Sequence, residues 1–142
     1  MAKQTTNGLG FEYCCADALL DAYAHCQIPL LIDKQSIPSF SLRKSQFKDV
    51  NPGVQQQQIK AAKAVAKQII ASKESWARGI RNSNDRYWLR VGDQARNMDV
   101  RDLVIYSDRG YILGISLKWN STEIKSLRLG DNWFQQFRIP DN

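Results

Sequence analysis

Three polar residues flank the two strands of a predicted β-hairpin, Asp102 before the first strand and Ser116 and Lys118 near the end of the second. An apolar run, a glycine-containing turn and a second apolar run predict this hairpin over residues 99–120. Ser116 and Lys118 are two positions apart, so their side chains share a face, about 7 Å apart along the strand. Because the start of one antiparallel strand lies beside the end of the other, we expect Asp102 to lie near both.

A carboxylate beside a lysine on rigid strands is suited to phosphodiester hydrolysis. The acid can hold Mg²⁺, which polarises the phosphate and lowers the pKa of a bound water, while the lysine stabilises charge or orients that water. A plainer interpretation is that Asp102 caps a strand and Lys118 protects a sheet edge, and spacing alone favours it.

Histidine and cysteine usage argues against other catalytic centres. His25 is the one histidine in the chain, so a Ser-His-Asp triad or a histidine-ligated metal is not expected. Cys14, Cys15 and Cys26 do not follow a zinc spacing, and we interpret them as reduced core residues.

The net charge of +6 is concentrated in one segment of the chain. Residues 54–90 hold eight of the 20 Lys and Arg residues but two of the 14 acids, so the remainder of the chain is neutral. The segment is either a solvated helix face or an arm that contacts phosphates, and the concentration of charge favours nucleic acid. The side chains that we expect to contact DNA are Lys60, Lys63, Lys67, Arg78 and Arg81.

Length and periodicity predict a single domain over residues 1–142, with helices flanking a small mixed sheet. Apolar spacing predicts a first helix over 11–26 and a basic helical segment over 52–78, the latter starting at an Asn-Pro pair. Residues 33–50 are interpreted as mostly loop or short helix. The fold class is therefore α/β or α+β.

Shorter elements complete this prediction. Residues 30–32 are a short strand or a buried connector, and 87–91 is the first clear strand. Gly130 and Asp131 are interpreted as the cap of a last helix that contains Trp133, Phe134 and Phe137. An apolar run of the roughly 20 residues of a membrane span is absent, as is a signal-peptide hydrophobic region, so we expect a cytoplasmic location and no membrane partner.

The run NGLGFEYCCADALLDAY, followed later by DVRDLVI, GISLKWN and a terminal NWF, resembles the HaeIII-like family of type II restriction endonucleases. That family is a branch of the PD-(D/E)xK nucleases. The resemblance covers both ends of the chain, is strongest over residues 99–134 and is weak in the middle. It implies a restriction-endonuclease-like core in a Mg²⁺-dependent enzyme of the bacterial cytoplasm that cuts double-stranded DNA at a short GC-rich palindrome, GGCC in the family's namesake. A companion DNA methyltransferase would act in the same system.

The resemblance also assigns roles to residues. Asp102 resembles the metal-binding aspartate at the head of a strand, with Asp99 as a second candidate, and Lys118 takes the place of the motif lysine. Glu12 resembles the first-helix acid that supports the metal, although a first-turn carboxylate is also favourable against the helix dipole. Asn120 would contact DNA or a metal-bound water, or simply end a strand.

Ser116 departs from the motif, which has Asp or Glu two residues before the lysine. A hydroxyl is a weak ligand for a hard cation that prefers carboxylate oxygens. Either Glu12, Asp99 or Glu123 supplies the missing carboxylate, or the Leu117 carbonyl and waters complete the shell, or the site is degenerate.

The chain is also shorter than members of that family, so we expect a fold that is incomplete at the C-terminus and lacks its full recognition apparatus. The alternatives to an endonuclease are a non-catalytic or degenerate DNA-binding fragment and a helix-rich protein whose basic face binds an acidic partner. Cutting both strands of a palindrome suggests two-fold symmetry, and therefore a homodimer.

Overall fold

The computed structural model describes residues 6–26, 29–71, 86–92, 103–107, 110–117, 119, 123–128 and 134–138. The helices are α1 (Thr6–His25), α2 (Ile37–Lys48) and α3 (Pro52–Ala71), and a short 3₁₀ helix spans Lys34–Ser36. The strands are β1 (Leu30–Ile32), β2 (Tyr87–Val91), β3 (Leu103–Ser107), β4 (Gly110–Ser116), β5 (Glu123–Arg128) and β6 (Phe134–Arg138).

These strands form one mixed sheet in which the spatial order follows the chain order from β1 to β6. β1 runs parallel to β2, and each later pair of neighbours is antiparallel. The predicted combination of helices with a small mixed sheet is thus confirmed. No helix within the described residues is both long and apolar enough to cross a bilayer.

One face of the sheet is buried against the helices. Along β2 the side chains of Tyr87, Leu89 and Val91 are buried, whereas Trp88 and Arg90 are half-buried, which is the period of two that a strand imposes. The buried set joins one apolar core with residues of α1 and α3, including Phe11, Leu19, Val65 and Ile69. Burial of this kind of surface, at about 25 cal/mol per Å², is the main force that holds the helices on the sheet.

α1 and α3 approach each other closely at a glycine. A Cβ atom on Gly10 would lie 2.8 Å from Cγ2 of Val50 and 3.3 Å from Oε1 of Gln58. Gln58 is fully buried in α3, and its Nε2 donates a hydrogen bond to the Asn7 carbonyl at 2.8 Å. The predicted start of the first helix at residue 11 was therefore wrong by one turn or more, because the helix begins at Thr6 and Gly10 is a point of close packing within it.

Residues 33–50, predicted as mostly loop or short helix, contain the 3₁₀ helix and α2, so the loop alternative was wrong. Pro38 lies in the first turn of the helix. Backbone N–H groups there have no partner inside the helix, so the N–H that proline lacks costs no hydrogen bond, and its fixed φ suits the helix. The rings of Phe40 and Phe47 lie 5.4 and 5.5 Å from the ring of Tyr13 in α1. Tertiary contacts thus stabilise a helix whose own apolar periodicity is weak.

The last helix predicted around Phe134 and Phe137 is instead strand β6. Phe137 is opposite Ile124 of β5, and Phe134 is opposite Leu127. A spacing of three residues suggested a helix, but backbone pairing with β5 provides the hydrogen bonds that decide the conformation. Trp133 lies outside the described residues.

β3 and β4 form the predicted hairpin. Leu103 is opposite Ile115 and Ser107 is opposite Gly110, with a register shift between Ile105 and Tyr106. The structure describes α3 as far as Ala71, so the predicted extension of that helix to residue 78 lies outside the described residues.

Candidate functional site

Three strand ends meet at one end of the sheet. The ladder places Val91 of β2 opposite Leu103 of β3, and Leu103 opposite Ile115 of β4. Ser116 follows directly on β4, and its backbone is opposite Lys125 of β5. We call this region the sheet end. The described residues that directly follow Asp102 or flank Lys118 in the sequence belong to it.

The first helix lies against the same region. The ring of Phe11 is 4.9 Å from the ring of Trp119, at an interplanar angle of 55°. Phe11 precedes Glu12 in the sequence, and Trp119 follows Lys118. Leu117, between β4 and Trp119, is buried. The sequence neighbours of the predicted helix acid and of the predicted motif lysine are therefore in contact.

Glu12 forms a buried ion pair with Arg43 of α2. Nε of Arg43 donates to Oε1 of Glu12 at 2.8 Å, and each side chain is 5% exposed. Nη1 of Arg43 also donates to the Ser39 carbonyl at 3.2 Å. The ion pair links α1 to α2 because neither charge could be buried without its partner.

Arg43 changes what Glu12 can do as a metal ligand. Oxygen donors such as those of Glu12 and the Leu117 backbone are of the type that Mg²⁺ prefers. The guanidinium, however, balances the carboxylate charge that a cation would use, so Glu12 fits a shared or supporting role better than that of a dedicated ligand. Within the described residues, groups of three or more His, Cys, Asp or Glu side chains that could hold a metal are absent.

A second polar cluster lies beside the sheet end, on β2, β3 and the residue that follows β1. Oδ2 of Asp33 accepts from Nε of Arg90 at 3.4 Å, and the Arg90 guanidinium lies 5.0 Å from the centre of the Tyr106 ring. Tyr106 in turn stacks on Trp88, with centroids 5.5 Å apart. Burial raises the pKa of Tyr106 above its ordinary value, and the hydrogen bond with Asp33 adds to this effect.

Serines of the 3₁₀ helix and α2 close the sheet end from the β2 side. Oγ of the buried Ser36 accepts from the Val91 backbone N–H at 3.0 Å. Gly92 follows with φ of +135°, and a Cβ there would meet Oγ of Ser39 at 2.7 Å. A side chain at this position would be both strained and obstructed, which explains the glycine.

Several predicted site residues lie outside the described residues, namely Asp99, Asp102, Lys118, Asn120, Arg78 and Arg81. Of Ser116 the structure describes the backbone position in β4. Glu123, a candidate for the missing carboxylate, opens β5. The assigned roles of all these residues stay predictions.

The predicted DNA-binding lysines of α3 lie on its outer face, and all three are exposed. Two of them, Lys63 and Lys67, line a groove of about 850 Å³ between α1 and α3. Asp17 and Asp21 of α1 line the same groove. Two carboxylates therefore offset part of the charge that the sequence concentrates in residues 54–90, whereas Lys60 does not line this groove.

All three cysteines are free, and Cys14 and Cys15 are buried as predicted. Cys26 is exposed, so the prediction of a core position was wrong for that residue. Burial raises the pKa of the Cys14 thiol from 9.0 to about 12, and the nearby Asp17 carboxylate adds to the shift. Cys14 is consequently protonated and a poor nucleophile at neutral pH. His25 bonds to its own helix, with Nδ1 2.8 Å from the Asp21 carbonyl.

Arg43, the buried partner of Glu12, is one of the polar residues that the sequence analysis did not predict. It shares one helical face with Phe40 and Phe47, three positions after the first and four before the second. An arginine between two aromatic residues on one face of a helix indicates a buried partner, because arginine is almost never buried unpaired. That pattern was the available signal.

The chain was compared with known proteins at the level of sequence and of structure. No protein-family model matches the sequence, and no curated protein or solved structure matches the chain.

Proposed function

We propose that this chain is a Mg²⁺-dependent endonuclease that hydrolyses phosphodiester bonds in double-stranded DNA. Its site is the sheet end, and the sequence resembles type II restriction endonucleases that act at a short GC-rich palindrome. The observation that supports the proposal is the 4.9 Å contact between Phe11 and Trp119, taken with the opposition of Leu103 and Ile115. These contacts involve neighbours of each of the three residues that the chemistry requires.

In this proposal Asp102 is the principal metal ligand, with Asp99 and the Leu117 carbonyl as further donors. Lys118 stabilises negative charge on the phosphate or orients the attacking water. Glu12 supports the site from α1, held in place by Arg43 at 2.8 Å. When bound, Mg²⁺ would supply Lewis-acid polarisation of the phosphate and a more acidic water.

DNA is held mainly through its phosphates. Lys60, Arg78 and Arg81 are the cations that we assign to this contact, with Asn120 beside the site. Lys63 and Lys67 contribute less, since Asp17 and Asp21 line the same groove. Contacts of this kind position the duplex and carry little sequence information, so the isolated chain should show weak sequence preference.

Plasmid cleavage with Mg²⁺ tests the proposal. We expect nicking or linearisation that EDTA abolishes and that Asp102→Asn and Lys118→Ala each reduce by about 100-fold or more. Matched controls are Asp49→Ala and Lys44→Ala, which change the same charges at exposed positions of α2 and its end. Cleavage that survives in both site variants would contradict the proposal.

A second candidate function is a non-catalytic DNA-binding module. Ser116, in place of an acid, favours it, as does the pairing of Glu12 with Arg43. Salt-sensitive DNA binding without cleavage by the wild-type chain would support this module. Neither binding nor cleavage would leave a protein that interacts with an acidic partner.

A further inference from the structure

The groove between α1 and α3 has walls of opposite charge. Asp17 and Asp21 are four residues apart on α1, and Lys63 and Lys67 are four residues apart on α3, so each pair forms a short row along its helix. All four side chains are exposed. No ion pair within 4.0 Å joins the two rows in the described structure, so both keep charge to offer to a partner.

The floor of this groove is apolar and not fully covered. The side chains of Ala18, Ala22, Ile59 and Ile70 line it and are each half-buried. Phe47 closes the groove at its α2 end and is half-buried as well. An occupant that covered this floor would remove apolar surface from water while meeting an acidic row on one side and a basic row on the other.

From these features we infer that the groove is the interface with a second copy of this chain. A two-fold axis that runs along the groove places the α1 wall of one copy over the α3 wall of the other. Asp17 and Asp21 then face the partner's Lys63 and Lys67, and the same contact is repeated on the other side of the axis. The apolar floors of the two copies face each other and form a core between four helices.

The charge pattern is the reason to prefer a second copy over another occupant. A uniformly acidic or basic partner would be attracted by one wall and repelled by the other, whereas a copy of the chain complements both. The net charge of +6 on each chain opposes association at long range. At physiological salt this repulsion is screened beyond about 8 Å. Charge pairs in contact within the interface are closer than that and are screened less.

We expect a weak dimer. The groove is a narrow strip compared with a standard interface of about 800 Å² per partner, so a dissociation constant on the order of micromolar is expected for the chain alone. Sedimentation at concentrations from about 1 to 100 µM in DNA-free buffer should show the mass of the wild-type chain change from one copy to two. A wild-type chain that stays monomeric would overturn the inference and leave the groove to a different occupant.

Charge reversal tests the pairing itself. Asp17→Lys with Asp21→Lys makes both walls basic, and Lys63→Asp with Lys67→Asp makes both walls acidic. Each double variant should be monomeric alone, because its like charges face each other across the two-fold axis. An equimolar mixture of the two should form a heterodimer, since every basic row then meets an acidic one.

Restored association in the mixture shows that both variants are folded and that these rows are in contact. Homodimers of either double variant, or a mixture that remains monomeric although both variants retain the wild-type circular dichroism spectrum, would overturn the inference. If a double variant loses that spectrum, the single reversals Asp21→Lys and Lys63→Asp are compared in the same way. The measurement contains no DNA and no metal, so its outcome is independent of the proposed nuclease activity.

Discussion

α1 carries two ion pairs that differ in their surroundings. Between α1 and α2, Glu12 and Arg43 are 2.8 Å apart and each side chain is 5% exposed. In the groove, Asp21 and His25 are 3.6 Å apart with side chains 70% and 78% exposed. Exposed pairs contribute little because water and salt screen them, whereas a buried charge that loses its partner is costly. One helix thus presents a fixed polar contact toward α2 and loosely held charges toward solvent.

The largest effect should come from breaking the buried pair. Arg43→Met leaves the Glu12 carboxylate in a buried position without its guanidinium, and we expect a loss of about 3–5 kcal/mol in the free energy of unfolding. Urea unfolding followed by circular dichroism measures this loss.

Two controls sharpen that result. His25→Ala, which removes the exposed pair, should change the free energy of unfolding by less than about 0.5 kcal/mol. The double variant Glu12→Gln with Arg43→Met should be more stable than Arg43→Met alone, because no buried carboxylate then lacks its partner. If Arg43→Met and His25→Ala lowered the free energy of unfolding equally, the buried pair and the exposed pair would not differ in their contribution to stability.

The next effect concerns the close approach of the helices that both regions depend on. Gly10→Ala adds a methyl group whose carbon would lie 2.8 Å from Cγ2 of Val50, so α1 and the connection between α2 and α3 must shift apart. Overpacking of this kind should lower the free energy of unfolding by about 1–3 kcal/mol. Gly53→Ala is the matched control, since its Cβ meets the Asn51 side-chain oxygen at 3.3 Å and that oxygen can move. A Gly10→Ala protein as stable as the Gly53→Ala protein would contradict the packing described for α1.

Part of this organisation was predictable from local patterns. The periodicity of α3, the alternation along β2 and the hairpin of β3 and β4 all appear in the sequence because each is a local pattern with a strong period. The extent of α2 was not predicted, since its stability depends on Arg43 contacting Glu12, 31 positions away. β6 was assigned to a helix because the spacing of Phe134 and Phe137 says nothing about β5, the strand that provides its pairing.

The hairpin was predictable, but its register at the sheet end was not. Continuing the pairing of Ser107 with Gly110 would place Leu103 opposite Gly114, whereas the register shift between Ile105 and Tyr106 places it opposite Ile115. The contact of Phe11 in α1 with Trp119 was not predicted; the resemblance implied that Glu12, the next residue, supports the site. Arg43 and the acidic wall of the groove could not be found by counting charges along segments. For the acidic wall, the counting assigns Lys63 to one segment and Asp17 to another, whereas the fold brings both residues to one groove.

A smaller effect is expected at alkaline pH, at the floor of the groove. Burial raises the pKa of Cys14 to about 12 from 9.0, so the folded protein disfavours the thiolate that the unfolded chain can form. The contribution of Cys14 to stability is therefore complete below about pH 9 and is lost as the pH rises toward 12. Between about pH 9 and 10, before tyrosines ionise, the free energy of unfolding should fall by up to about 1 kcal/mol.

The variant Cys14→Ala should lose this dependence over the same pH range, whereas Cys26→Ala should keep it. Thiol labelling provides an independent measure, because the exposed Cys26 should react quickly in the folded protein while the buried Cys14 and Cys15 react after unfolding. Fast labelling of Cys14 in the folded state would contradict its position under the groove.

The smallest effect separates the lysines of α3 by their surroundings. Lys60→Ala should weaken DNA binding a few-fold and reduce the slope of log K against log[salt] by about 0.9, the value for one lost phosphate contact. Lys63→Ala and Lys67→Ala should change that slope less, because Asp17 and Asp21 line the same groove. Titration of a labelled duplex between about 50 and 200 mM salt measures these slopes. Equal slopes for the three variants would mean that the basic face acts as one uniform surface, and that the acidic wall of the groove does not offset Lys63 and Lys67 toward DNA.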